Sequence, residues 1–398
     1  MGIFEELGVE PIINASGAVT RLGGAPLPQP VLEAFCQAAQ SSVPLELLQA
    51  AASRRIAAAT GAEAGLVTSG ASAALLLGAA AMLAGDDLGR MERLPDCRGF
   101  PAEMIVAREQ RNPYDHAVRA AGARLVEVGF HEPAAGSGVR RCEVWEYAAA
   151  ITSDTAGILY VQQDGAQPPL GDVVSLAHSR GLPVLVDAAG ELPPRSNLRE
   201  LLATGADLVA FSGGKALRGP QATGILAGRR PLVASAALQM LDLDDHSALW
   251  QPPVEFFAGR TLPGLPRQGI GRTCKVSKEQ IAALLVALEL FQKDAYQSER
   301  TRQCSLLSTL TDALRTAGIA IQLRVPADDE SAPWLEVAVD ASRSGASALE
   351  VCRRLRAGRP PVYVGHGQLA QQRLVIHPLH LDEATTRILA RRLVEELT

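Results

Sequence analysis

The segment that decides the fold is Asp207-Leu-Val-Ala-Phe-Ser-Gly-Gly-Lys215, an apolar run followed by a glycine turn and a lysine. Residues 208–211 are apolar without alternation, which is typical of a strand covered on both faces of a parallel sheet. Two glycines follow Ser212, and glycine permits the tight backbone of a turn at a strand end. The pattern predicts that Lys215 lies at the carboxyl edge of a sheet, where α/β proteins bind ligands.

A second apolar strand, in Pro183-Val-Leu-Val-Asp187, ends on an aspartate that is followed by the small residues 188–190. Pyridoxal phosphate (PLP) requires this pair, because a lysine forms its Schiff base and a carboxylate keeps its pyridine nitrogen protonated. The small residues leave room for a flat ring against the backbone. Lys215 or Asp187 alone would fit an ordinary α/β protein, but the two together predict PLP as the cofactor.

A candidate phosphate cradle lies earlier in the chain. The short apolar strand 65–68 opens into Ser69-Gly-Ala-Ser72, and the apolar helix 73–83 follows. Unpaired N–H groups and the positive end of the helix dipole favour a phosphate at such a turn. The nucleotide pattern G-x-x-x-x-G-K-[ST] is missing from this loop. The alternative is a plain connection in which Ser69 or Ser72 caps the helix.

The run Phe211-Ser-Gly-Gly-Lys-Ala-Leu-Arg-Gly-Pro-Gln-Ala-Thr-Gly-Ile225 resembles the PLP-lysine signature of the selenocysteine synthase (L-seryl-tRNA selenium transferase) family. It is most similar to the tRNA-independent ammonia-lyase members of that family. Further stretches similar to the family are Ile13-Asn-Ala-Ser-Gly-Ala-Val-Thr20, Thr60-Gly-Ala-Glu63, Arg111-Asn-Pro-Tyr-Asp-His116 and Gly271-Arg-Thr-Cys-Lys-Val-Ser-Lys278. The matches run in order from about residue 10 to about residue 280, and the last hundred residues match only loosely.

The resemblance implies an α/β protein of PLP fold type I (aspartate aminotransferase-like), with a doubly wound, mostly parallel sheet and a smaller C-terminal α/β domain. Alternating strand and helix patterns along the 398 residues agree with this class. We expect an N-terminal arm and helix over 1–52, a large PLP-binding domain over 53–275, and a linking helix with the small domain over 276–398. The expected strands of the large sheet are 66–68, 104–107, 124–128, 158–162, 184–186, 208–211 and 224–227.

Several polar residues are expected around the cofactor. His116 would stack on the ring, although Tyr114 could do so instead and His116 could merely cap the next helix. Gln163 would hydrogen-bond the 3′-oxygen, and Ser212 would lie near the phosphate. The expected cofactor-binding residues are Ser69, Gly70, Ala71, Ser72, His116, Gln163, Asp187, Ser212 and Lys215, of which Lys215, Asp187 and His116 are the catalytic candidates.

Basic residues are the natural clamps for a substrate carboxylate, since a guanidinium pairs with it through two hydrogen bonds. Arg272 and Lys275 match basic positions of the family motif, and Arg21 lies in the N-terminal segment. Arg108 and Arg373 are further candidates. A metal site is not expected: His377 and His380 bracket a proline, and with Asp382 they fit a strand and its exit better than a ligand set.

The composition of the chain limits the kinds of partner and the compartment that we expect. A net charge of −5 with interspersed signs lacks the basic patch of a nucleic-acid-binding protein, and no room is expected for a tRNA-binding domain before residue 13. Six scattered cysteines without C-x-x-C spacing indicate a reducing compartment. The N-terminus lacks signal-peptide features, and residues 71–84 are too short to span a bilayer. We therefore expect a cytoplasmic enzyme with a small-molecule partner, no nucleic acid and no membrane.

The expected reaction is α,β-elimination from a small polar or hydroxy amino acid through a Lys215 Schiff base. The resemblance implies loss of a β-substituent after Cα deprotonation. A racemase, aldolase, transferase or transaminase would use the same lysine, and these reactions remain alternatives. A catalytically silent PLP-binding protein is the alternative of a different class, and the retained Lys215, Asp187 and phosphate loop argue against it. Fold type I also implies a homodimer or a higher assembly, with residues 1–30 lying across a partner.

Overall fold

A computed structural model of the chain describes residues 2–130, 140–241, 246, 248–257, 262, 264–326 and 328–398. In this part of the chain the strands are β1 (Ile13–Ala15), β2 (Ala64–Thr68), β3 (Glu103–Ala107), β4 (Arg124–Val128), β5 (Thr155–Val161), β6 (Val184–Asp187), β7 (Leu208–Ser212), β8 (Gly224–Gly228), β9 (Ile321–Arg324), β10 (Trp334–Ala338), β11 (Val362–Val364) and β12 (Arg373–Ile376). The α-helices are α1 (Ile3–Glu6), α2 (Gln29–Ala39), α3 (Leu45–Thr60), α4 (Ala71–Ala84), α5 (Leu88–Arg93), α6 (Asp115–Ala120), α7 (Val144–Ala150), α8 (Leu170–Ser179), α9 (Asn197–Ala203), α10 (Arg230–Met240), α11 (Val254–Phe257), α12 (Lys278–Gln292), α13 (Gln297–Thr316), α14 (Ala341–Ser344), α15 (Ala348–Ala357) and α16 (Glu383–Leu397).

The chain divides into two compact units, which differ in their bounds from the expected domains. The larger unit is Leu27–Gln292, and the smaller one combines Met1–Pro26 with Lys293–Thr398. The helix α12, expected to begin the small domain, belongs to the larger unit. The reason is an apolar contact between α2 and α12, in which Val31 packs with Ala283 and Ala287. The region 1–52 is accordingly shared between the units, with the break after Pro26.

The larger unit is built on a seven-stranded sheet with the order β2-β8-β7-β6-β5-β3-β4. The neighbours from β7 to β4 are parallel, and β8 runs antiparallel to both β7 and β2. The seven strands coincide with those expected from the sequence, and the mostly parallel α/β class is confirmed. Strands β2, β3, β5, β6 and β7 therefore end at the same edge of the sheet.

Helix α4 is the central helix of the larger core. It is apolar on all sides, as a helix enclosed by protein must be, and most of its residues are buried. Gly78 lies so close to β6 that an added Cβ would come within 2.9 Å of Leu185. The expectation of a buried helix is confirmed. Among the described residues, the structure contains no helix with the length and apolarity to cross a bilayer.

Side chains of α3 cover the outer edge of β2. The Gln49 amide donates to the Val67 carbonyl at 2.8 Å and accepts from the Val67 N–H at 3.0 Å. One turn later the Ser53 hydroxyl accepts from the Gly65 N–H at 3.0 Å. These bonds satisfy backbone groups that an edge strand otherwise leaves open to another chain.

The smaller unit contains an antiparallel sheet, β12-β10-β9, and a parallel pair, β1-β11. Its core packs α13, α15 and α16 against these strands, with Leu310, Leu335 and Leu389 fully buried. His377 is half-buried, with its ring centre 6.2 Å from that of Trp334, and the loss of contact with water lowers its pKa. No cluster of three or more His, Cys, Asp or Glu side chains suited to a metal occurs in the part of the chain that the structure describes.

Candidate active site

The residues expected at the cofactor follow the carboxyl ends of neighbouring strands in the larger unit. Ser69 follows β2, Asp187 ends β6, Ser212 ends β7, and Gln163 lies two residues after β5. Val161 lies opposite Asp187, and Ser212 lies opposite Gly224 at the start of β8. The sheet thus brings these positions to one edge, as the sequence predicted.

Asp187 is the buried charge of this edge. The residue is only 7% exposed, and its Oδ1 accepts from the Ala189 N–H at 3.1 Å. Burial raises the pKa of its carboxyl, while the Ala189 N–H and the Lys215 charge act against this and the Asp115 carboxylate adds to it. A carboxylate so removed from water requires a cation in order to stay ionised.

The Lys215 turn depends on its glycines. The Gly213 N–H donates to the Thr223 carbonyl at 2.8 Å, and the Gly219 N–H donates to the Gly213 carbonyl at 2.8 Å. A Cβ on Gly214 would lie 2.5 Å from the Cα of Gln221, so only glycine fits this approach of two backbones. The turn therefore holds Lys215 at a defined place just beyond β7.

The loop between β2 and α4 leaves the first turn of the helix open. Gly70 is the N-cap with φ 112°, and no side chain caps the helix. The alternative that Ser69 or Ser72 serves as the cap is therefore wrong. A Cβ on Gly224 would lie 2.4 Å from the Gly70 carbonyl carbon and 2.6 Å from the Ala71 nitrogen. The start of β8 thus packs against the backbone of the loop, and no side chain occupies the first N–H groups of the helix.

The ring-contact candidates lie on exposed positions. His116 is the second residue of α6 and is exposed, Tyr114 is 58% exposed, and Gln163 is exposed in its loop. The N-cap of α6 is Tyr114 and has no side-chain cap, so His116 does not cap this helix. The neighbouring Asp115 is buried and ion-paired with Arg111, which fixes the start of α6.

The basic candidates have different surroundings within their own units. Arg272 and Lys275 line a separate cavity of about 660 Å³ in the larger unit, whose walls contain neither Lys215 nor Asp187. Arg21 belongs to the smaller unit, where its guanidinium lies 5.7 Å from the centre of the Tyr363 ring. Two further candidates already have carboxylate partners. Arg108 pairs with Glu127 at 2.9 Å, and Arg373 pairs with Glu336 at 3.3 Å.

One acidic residue of this edge was missed in the sequence. Glu191 lies in the loop after β6, four positions beyond Asp187, and is half-buried. Burial raises its pKa, the charges of Asp187 and Asp164 raise it further, and the Lys215 charge opposes them. A glutamate in a loop is usually solvated, so its residue type gave no reason to select it. The only signal in the sequence was its position four residues after Asp187.

Known proteins resemble the chain along most of its length. The family model "L-seryl-tRNA selenium transferase" matches residues 12–243. The D-glucosaminate-6-phosphate ammonia lyase of Salmonella typhimurium is 29% identical over 99% of this chain and 97% of its own. The 5′-C-glycyluridine monooxygenase-decarboxylase of a Streptomyces species is 31% identical over 99% and 92%. The L-seryl-tRNA(Sec) selenium transferase of Serratia proteamaculans is 27% identical over 77% and 62%.

Solved structures agree with these matches. A structure of D-glucosaminate-6-phosphate ammonia-lyase superposes with a TM-score of 0.80 and 27% identity over 100% of this chain and 98% of its own. A serine palmitoyltransferase from S. paucimobilis, solved with PLP bound, has a TM-score of 0.55 and 14% identity over 97% and 87%. At that identity the likeness concerns the fold alone. The fold is that of the fold type I PLP enzymes.

The residues at this edge fit the PLP that the fold implies. The buried Asp187 needs a cationic partner, which a protonated pyridine nitrogen supplies. The uncapped start of α4 offers N–H groups to a phosphate. Lys215 provides the amine for the carbonyl group of the cofactor. A carboxylate, an amine and an anion cradle are thus all present at the carboxyl edge of one sheet.

We predict that Gly224→Ala weakens PLP binding about tenfold or more, because a clash with the Gly70 backbone costs about 1–3 kcal/mol and displaces the cradle. The affinity is measured by titrating the apoprotein with PLP and following absorbance. Gly171→Ala is the matched control, since its Cβ would meet no atom within 4 Å. Equal affinity of the Gly224→Ala variant and the control would show that the cradle does not hold the phosphate.

Proposed function

Because the chain belongs to the L-seryl-tRNA selenium transferase family, we propose that it is a PLP-dependent lyase of the ammonia-lyase type. Its substrate is a small polar or hydroxy amino acid that loses a β-substituent and then its amino group. The observation that carries this proposal is the likeness to the Salmonella ammonia lyase over almost the whole of both chains. The lysine, the buried aspartate and the open helix terminus at one sheet edge support it.

When bound, PLP supplies an electron sink for the charge that develops at the substrate Cα. The residues of the chain have separate tasks around it. Lys215 anchors the cofactor and then accepts the Cα proton on Nζ. Asp187 holds the proton of the pyridine nitrogen. The cradle residues (Ser69, Gly70, Ala71 and Ser72) and Ser212 bind the phosphate, His116 contacts the ring, and Gln163 bonds its 3′-oxygen.

The substrate carboxylate requires a cation, and Arg21, Arg272 and Lys275 remain the candidates from the sequence. Arg272 and Lys275 share a cavity from which Lys215 is absent. A second copy of the chain could bring this cavity to the edge that carries Lys215. This arrangement fits the proposal of a homodimer or a higher assembly built from dimers. The scattered cysteines, all free, fit a cytoplasmic location.

A second candidate function comes from the Streptomyces relative, which is 31% identical and is named a monooxygenase-decarboxylase. Such a reaction consumes O₂ and releases CO₂, whereas an ammonia lyase does neither. A racemase, an aldolase and a transaminase would use the same lysine. A silent PLP-binding protein would show none of these activities.

We predict that borohydride reduction of the PLP-loaded protein places the pyridoxyl group on Lys215. A single labelled peptide containing residues 211–225 is expected by mass spectrometry. The Lys215→Ala variant should lose the label, while Lys293→Ala, which removes an exposed lysine far along the chain, should keep it. A label on any other lysine would contradict the assignment.

The reaction is tested with a panel of hydroxy amino acids, in both enantiomers and with or without a phosphate group. We expect ammonia and a 2-oxo acid in equal amounts, with the cofactor spectrum restored after each turnover. Uptake of O₂ with release of CO₂ would favour the second candidate. Conversion of the cofactor to its amine form would indicate a transaminase, and exchange of the Cα hydrogen without net product would indicate a racemase.

Sedimentation at micromolar concentration tests the assembly. We expect a dimer or a multiple of it, because the active site of this fold type is usually completed by the neighbouring copy. The Arg272→Ala variant should form an assembly of the same number of copies. Its KM for the amino acid should be about tenfold higher or more, as expected when a hydrogen bond to a charged group is lost. An active monomer would refute the shared site.

A further inference from the structure

Glu191 occupies a fixed position in the candidate active site. Its loop leaves β6 directly after Asp187 and is held by its own backbone. The Glu191 N–H donates to the Ala188 carbonyl at 3.2 Å, and the Asn197 side-chain amide donates to the Glu191 carbonyl at 2.7 Å. Two prolines follow at 193 and 194, and each fixes its own φ angle. The Glu191 side chain therefore starts from a well-defined point near the end of β6.

The Glu191 carboxyl has no structural task. Across the residues that the structure describes, no hydrogen bond or ion pair to this carboxyl is found, although the side chain is half-buried. Glu191 follows the end of β6 by four residues, at the sheet edge where the neighbouring strand β7 leads to Lys215. Burial is the largest cause that raises the pKa of its carboxyl, and its acidic neighbours Asp187 and Asp164 act in the same direction.

An elimination from a hydroxy amino acid needs such a group. Removal of the Cα proton by Lys215 is only half of the reaction, because the β-oxygen would otherwise leave as hydroxide, which is a poor leaving group. A positioned acid that donates a proton to the departing oxygen accelerates such a step by about 10²–10⁴-fold. Asp187 is committed to the pyridine nitrogen and does not supply this proton.

We propose that Glu191 is the general acid that protonates the β-leaving group, a role that rests on the proposed function. Lys215 Nζ takes the Cα proton, and the electron pair of that C–H bond forms the Cα–Cβ double bond. The Cβ–O bond breaks with its electrons passing to oxygen, which receives the Glu191 proton and departs as water. Glu191 is left as a carboxylate and recovers its proton from solvent. Nothing is oxidised or reduced in this step.

Asp164 is the other acid near this point, and its position suits the role less well. It is exposed in the loop after β5, where water can solvate its charged form. Glu191 is the more buried of the two and lies in the loop that follows the strand ending at Asp187. The inference also specifies the substrate, which carries a β-hydroxyl group or another oxygen that must be protonated before it leaves.

Glu191→Gln tests the role, because glutamine keeps the size of the side chain and cannot donate its proton as an acid. For a hydroxy amino acid of the panel we expect kcat to fall about 100-fold or more. For the β-chloro analogue of the same substrate we expect kcat within about threefold of the parent, because chloride leaves without a proton and general-acid help is then unnecessary. Exchange of the Cα hydrogen with solvent, followed by NMR, should persist because Lys215 is intact.

Two controls and three outcomes complete the test. Glu200→Gln, an exposed glutamate on α9, should leave both substrates unaffected, and Glu191→Asp should retain part of the activity on the hydroxy substrate. Equal loss on both substrates would overturn the proposal in favour of a structural role, and no loss on either would exclude Glu191 as the acid. Failure of the unaltered enzyme to eliminate from any hydroxy or chloro amino acid would instead refute the proposed function, and the role of Glu191 with it.

Discussion

A carboxylate withdrawn from water is the constraint on which this molecule depends. Asp187 is buried at the end of β6, and its pKa is raised by that burial. Such a group destabilises a fold unless a cation or strong donors compensate it. The Ala189 N–H provides one donor, the Lys215 charge acts in the same direction, and the proposed PLP would add a cationic ring. Two neighbouring features suit the same cofactor: the glycine turn that presents the lysine, and the helix terminus without a side-chain cap.

The sequence was sufficient for the larger sheet, because its strands are short apolar runs bounded by glycine and polar turns. It was also sufficient for the Lys215 turn, where glycines are required by approaching backbones. It was not sufficient for the division into units. The contact of Val31 with Ala283 and Ala287 joins helices that are far apart in the chain, and no local pattern reveals it. At the start of α4 the sequence left a serine cap open as the alternative to a phosphate cradle, and the structure rules the cap out because Gly70 takes that position.

The sequence predicted the positions of some functional side chains and not of others, and the difference again lies in local against tertiary structure. Residues fixed to strand ends could be placed from the sequence, since parallel strands end together. Arg272 and Lys275 belong to a short 3₁₀ segment and its exit, and the tertiary packing of that segment puts them in a cavity apart from Lys215. Glu191 was missed because a loop glutamate has no pattern of its own. The three named relatives carry names for different reactions.

The pairing of β8 with β2 affects the order in which this site can form while the chain is being synthesised. The phosphate cradle is made early, at residues 69–72, but the strand that supports it begins only at Gly224. Pairing between such distant segments is slow because the intervening chain must first be ordered. On the ribosome, a growing chain that stops short of residue 224 holds the cradle sequence without its support. The candidate cradle is therefore complete only late in synthesis, after Lys215 and the strand that follows it have both emerged.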